Sequence, residues 1–256
     1  MFKSSNPVFN SIEKTSVQTG QTYVEVDTTE KTASWRGITV KTMVLLLTAI
    51  ASGFLSILFI DIPAVLIAAF VISFIGSFII VFIAMRSPKH AMWLSFVYAV
   101  AQGLTYGALT WLLEFLLADV MPGIGIMAVT GTFVIVLTMA GLYRIGAVRA
   151  TPFLVKFVLG SLVAILIASL ISFILSILGI GFLEGFSPGI GIAISGFFIL
   201  LGALMLILDF ERAKLLVEYN SPVNTEWQAA LGILITTVWI YVNILKFLLY
   251  VAARRE

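Results

Sequence analysis

Seven apolar runs take up most of the chain: Ile38–Ile60, Pro63–Met85, Ala91–Leu117, Gly123–Tyr143, Phe153–Ile180, Gly189–Phe210 and Ala229–Val251. A bilayer-crossing helix needs about 20 predominantly apolar residues, so each run is read as a candidate span. The connections between them are short. The pattern predicts an all-α integral membrane protein, a seven-transmembrane-helix bundle over residues 38–256. Residues 1–37 are rich in Ser, Thr, Gln, Lys and Glu and are expected to form a mobile cytoplasmic tail. The opening MFKSSNPVFNSIEK lacks the apolar core of a signal peptide, so no cleaved signal is expected. Phe2 stands where myristoylation requires glycine.

Charges between the runs alternate. Lys14, Lys31, Arg36 and Lys41 lie before or at the start of the first run, and Asp61 alone follows it. Arg86 and Lys89 come next, then Glu114 and Asp119, then Arg144, Arg149 and Lys156, then Glu184, then Arg212 and Lys214. The positive-inside rule places the basic ends, and the N-terminus, in the cytoplasm. Lys246, Arg254 and Arg255 break the alternation. The last run therefore either spans or is re-entrant, and its length favours spanning, with the C-terminus outside.

Composition agrees with this reading. The chain is 61% hydrophobic and 11% charged, against about 45–50% and about 25% in soluble domains. Without cysteine there is no disulfide framework, thiolate metal site or thiol nucleophile. A single histidine, His90, rules out a multi-histidine metal site. There is no Gly-x-Ser-x-Gly elbow. An intramembrane aspartyl protease needs two aspartates sharing a proton, and only Asp209 lies deep enough. The chain is thus expected not to be an enzyme and to need no cofactor. Its expected partners are calcium or other cations, membrane lipid and a membrane protein, with no nucleic acid.

Candidate chemistry concentrates in Ser187–Tyr219, taken as the stretch that organises the chain. Its apolar run ends in Leu208-Asp209-Phe210-Glu211. A charge at the centre of a membrane helix costs about 2.5–3.5 kcal/mol on insertion scales, so such acids are usually functional. Asp209 is therefore either an ionisable switch, and a candidate for transient calcium, or an interfacial partner of Arg212 three residues on. Glu114 faces the outer interface or forms the mouth of a cation path, and Glu211 is a further candidate on such a path. Gln102, Thr105, Tyr106, Thr130, Thr132, Thr138, Thr236, Thr237, Tyr241 and Asn243 are the other polar groups inside the runs. Most threonines are expected to bond the preceding turn of their own helix. Gly103 and Gly107 mark a close helix contact. Trp35, Trp93, Trp111, Trp227 and Trp239 suit interfacial anchoring. Pro122-Gly-Ile-Gly-Ile126 and Pro188-Gly-Ile-Gly-Ile192 echo each other, each opening a run with proline suited to a first turn. The echo is not a phosphate loop, because the Lys-Ser/Thr that should follow is missing.

Several of these residues together resemble the Bax inhibitor-1 family, also called the transmembrane Bax inhibitor motif or YccA-like family. They are Gly103-Leu-Thr-Tyr-Gly107, Gly131-Thr-Phe133, Leu208-Asp-Phe-Glu211 and the closing Trp239-Ile-Tyr-Val-Asn-Ile-Leu-Lys-Phe-Leu248. Asn6-Pro-Val-Phe9 and Arg149-Ala-Thr-Pro152 resemble its bacterial branch, which implies a bacterial inner membrane. The resemblance covers about residues 36–252. It implies a pH-gated calcium leak path sensed by two acids sharing a proton, one on the sixth helix and one on the seventh. Asp209 matches the first, and the second falls at Asn243, a departure, because an amide has no proton to share. Gating by Asp209 alone, against Arg86 or Arg212, is the expectation that follows, with Asn243 in contact with Asp209. The alternatives are a non-conducting interaction protein that modulates a membrane protease or a stress or cell-death partner, and a proton-coupled transporter.

Overall fold

The computed structural model describes residues 31–59, 63–178 and 187–254. The tail expectation for residues 1–30, and the loop charges Asp61, Glu184 and Arg255, lie outside them. Among the described residues there are seven α-helices: α1 Trp35–Leu55, α2 Pro63–Arg86, α3 Pro88–Leu116, α4 Ile124–Arg144, α5 Pro152–Ile177, α6 Pro188–Glu218 and α7 Thr225–Ala252. A 3-10 turn, Ser56–Phe59, extends α1. Six helices are long and apolar enough to cross a membrane, and the apolar stretch found in α2 is the shorter Ser73–Arg86.

Helix ends differ from the hydrophobic boundaries because polar residues continue or cap the helices. Ser34 accepts from the Gly37 N–H, so α1 starts at Trp35, inside the stretch assigned to the tail. Beyond the apolar run, α6 continues to Glu218, with Lys214 Nζ 3.5 Å from Glu211 and 3.6 Å from Glu218 at helical spacing. The two PGIGI echoes are used differently. Pro188 is in the first turn of α6. Pro122 instead precedes Gly123, whose φ of 80° makes it the left-handed residue before α4.

The bundle is organised around α7, not around α6 as the sequence suggested. Helices α1, α3, α4 and α6 all pack against α7. The physical reason is the solvent. Lipid is as apolar as leucine, so an all-apolar helix gains little by burial and polar helices go inside. Accordingly α5, with Val158 its one buried residue, sits on the outside beside α6, while α7 buries Glu226, Gln228, Thr236, Thr237 and Asn243.

Small residues set the closest approaches. A Cβ on Gly103 would strike Ser52 and the Ala49 carbonyl, and one on Gly107 would strike the Gly53 backbone. The expected small-residue contact is therefore the α1–α3 seam. Helices α6 and α7 run antiparallel, with Gly191 under Tyr250, Gly202 under Ile240 and Gly232 opposite Asp209. Trp239 is not an interfacial anchor. Its indole donates to the Phe198 carbonyl at 3.2 Å within the α6–α7 seam.

The start of α7 clamps two neighbours. Buried Glu226 accepts from Ser34 N–H at 2.7 Å and Ser34 Oγ at 3.1 Å, and pairs with Lys41 Nζ at 2.7 Å. Lys41 also donates to the Val223 carbonyl at 3.2 Å and lies over the Trp227 ring. Gln228 Nε2 donates to the Ala84 and Met85 carbonyls, satisfying the end of α2.

Candidate functional site

Asp209 projects from α6 toward α7. Thr236 Oγ1 donates to its Oδ2 at 2.5 Å. Gly232, one turn before Thr236, lies opposite Oδ1, which is 3.5 Å from where its Cβ would be. No ion pair to Asp209 forms among the described residues. Arg212 is exposed, and Arg86, also exposed, has its guanidinium 4.1 Å from the Phe82 ring. Neither cation pairs with the carboxylate as expected.

Asn243 is not the partner of Asp209. It lies two turns, about 10 Å, beyond Thr236 along α7. Its Nδ2 donates to the Trp239 carbonyl at 2.8 Å, and its buried Oδ1 has no partner among the described residues. The α7 group that faces the acid is the Thr236 hydroxyl, which bonds across to α6 and not, as expected of most threonines, to its own helix. Thr132 and Thr237 do bond the preceding turn, to Ala128 and Ile233. Thr105 reaches Ser73 on α2 at 2.8 Å.

Glu211, two residues past Asp209, points elsewhere, accepting from Tyr143 Oη of α4 at 2.8 Å. Glu114 closes the opposite end of the bundle. Its Oε1 accepts from Gly123 N–H at 2.5 Å and its Oε2 from Gly125 N–H at 3.2 Å. A carboxylate there complements the positive end of α4.

Glu114 also rims a cavity of about 520 Å³ bounded by α1, α3, α4 and α7. Leu46 and Gly53 face it from α1, Val129 from α4 and Thr237 from α7. Its polar wall groups are mostly engaged: Thr110 Oγ1 bonds both the Tyr106 carbonyl at 2.6 Å and Tyr241 Oη at 2.5 Å. On α7, Thr237 faces the cavity and the adjacent Thr236 holds Asp209. One helix thus separates cavity and acid.

The clamp at Glu226 escaped the sequence reading. A Glu near the first turn of a helix is common, and the signal that it would be buried, Lys41 with Gly37 one turn earlier, lies far away in the chain.

No curated protein and no solved structure matches the chain. Among known families, residues 6–253 match the one described as Bax inhibitor 1 like. With that match over nearly the whole chain and multiple long apolar helices, this is a multi-pass integral membrane protein of the Bax inhibitor 1 like family.

Proposed function

We propose that the protein is a pH-sensitive calcium or cation leak channel gated around Asp209. The carrying observation is a carboxylate between two packed helices whose hydrogen-bond donor, among the described side chains, is one neutral hydroxyl. An acid placed so has no ion-pair partner among the described residues to offset its desolvation, and it can take up a proton or a passing cation instead. In this reading the ionised carboxylate binds Thr236 and holds α6 against α7. Protonation weakens that charge-assisted bond, the helices separate, and flux rises as pH falls. Cations enter beside Glu114, and Glu211 lies toward the exit. All seven helices span, the N-terminus is cytoplasmic, and the membrane is a bacterial inner membrane.

A second reading, a non-conducting interaction protein that modulates a membrane protease or a stress partner, is favoured by the largely apolar cavity wall, which offers a cation few ligands. Calcium entry into liposomes holding the purified protein separates the two. Entry above that of protein-free liposomes supports the channel, and none supports the interaction protein.

A further inference from the structure

The cavity that Glu114 rims has the form of a ligand site. Its volume of about 520 Å³ falls within the range of small-molecule pockets, about 300–1,000 Å³. Helices α1 and α4 stand apart across it. Wall residues on both are also open to the outside, Phe54 at 66% and Ile126 at 75% exposure. These side chains belong at once to the cavity and to the lipid-facing surface, so the opening is lateral, into the bilayer.

The wall is mostly apolar, which suits a hydrocarbon chain better than a file of water. A buried water needs two to four polar partners. Here Thr110, Tyr241, Thr132 and Thr237 are bonded to one another or to their own helices, and Gln102 Nε2 donates to Ser77, which leaves the hydroxyls of Tyr106 and Thr130 and the indole of Trp111 as scattered polar groups on the wall. Among the wall residues the one acid is Glu114, held by two backbone N–H groups at the rim. Along α3 the wall runs from Glu114 to Gln102, about 18 Å of helix. That is close to the hydrocarbon depth of one leaflet, about 15 Å.

We infer that the cavity binds one acyl chain of an amine-headed phospholipid, with the tail along α3 and the headgroup ammonium on Glu114. Charge selects the headgroup. A carboxylate at the rim attracts an ammonium and repels an anionic headgroup that lacks one. The inference concerns binding and does not rest on conduction.

The test uses the full chain, stripped of lipid in detergent and mixed with phosphatidylethanolamine or phosphatidylglycerol, and native mass spectrometry to count bound lipid. A third arm adds soluble phosphoethanolamine, which has the headgroup and no tail. The wild type should retain one phosphatidylethanolamine in preference to phosphatidylglycerol, and should not retain phosphoethanolamine. Val129→Trp and Ile50→Trp fill the cavity from opposite walls and should each weaken retention about tenfold. Val163→Trp on the outer face of α5 should change nothing. Glu114→Gln should keep the tail but bind the two lipids equally. Retention by both filled variants at the wild-type level would overturn the site. Equal retention of the two lipids by the wild type, or none, would overturn the proposal without any variant, so a filled variant that fails to fold does not shelter it.

Discussion

Thr236 donates its hydroxyl proton to Asp209 at 2.5 Å, joining the two helices with the most extensive contact in the bundle through a charge-assisted bond. Thr236→Val keeps the shape and removes the donor, leaving a buried carboxylate unsatisfied. The expected loss is about 1–3 kcal/mol of stability, read as a lower thermal midpoint in detergent, with a raised calcium leak at neutral pH. Thr236→Ser should restore both.

The same contact decides where a second acid would couple to the first. Thr236→Asp sets two carboxylates face to face, so the pH profile of flux should broaden into two steps. Asn243→Asp, two turns away, should leave one step. This reverses the expectation drawn from the sequence alone, in which position 243 was the partner. Equal broadening by both substitutions would show that the two positions act on one gate.

Buried Glu226 pairs with half-buried Lys41, and its carboxylate is further held by Ser34. Removing Lys41 strands the buried Glu226 carboxylate, at a cost below the about 3–5 kcal/mol of a fully buried pair because Lys41 is partly exposed. Lys41→Met should therefore lower the thermal midpoint more than Glu226→Gln, which keeps an acceptor for Ser34. The double variant Lys41→Met/Glu226→Leu should recover part of the loss. A strictly additive double variant would mean that the pair contributes nothing as a pair.

Glycine substitutions should divide by what a Cβ meets. Gly107→Ala drives into the Gly53 backbone and Gly37→Ala into the Glu226 carboxylate. Each should cost about 1–3 kcal/mol, the usual penalty of overpacking. Gly76→Ala and Gly160→Ala meet nothing within 4 Å and should be neutral or slightly stabilising. Thermal unfolding of the four variants checks the division.

Hydrophobic runs gave the helices, because a bilayer demands a length that sequence records directly. The Gly103 and Gly107 contact was legible for a related reason, since small residues four apart mark a close crossing. Three things were not legible. Helix order in the bundle depends on which helix carries polar groups that need partners, and the two that tie α7 to α1 and α2, Glu226 and Gln228, lie just outside its apolar run. The partner of Asp209 depends on the register of α6 against α7. That register is fixed by Gly191 under Tyr250 and Gly202 under Ile240, a match of two distant segments. Finally, a cavity is a property of walls from four helices, and none of them shows it alone.

The central claim is that the charge on Asp209 holds the path closed. Calcium flux into liposomes containing wild type or Asp209→Asn, measured from neutral to acidic pH, tests it most directly. The wild type should leak more as pH falls. Asp209→Asn, which has no proton to gain, should lose that dependence. If Asp209→Asn shows the wild-type flux and the wild-type pH profile, Asp209 is a structural hydrogen-bond partner of Thr236 and the gate lies elsewhere.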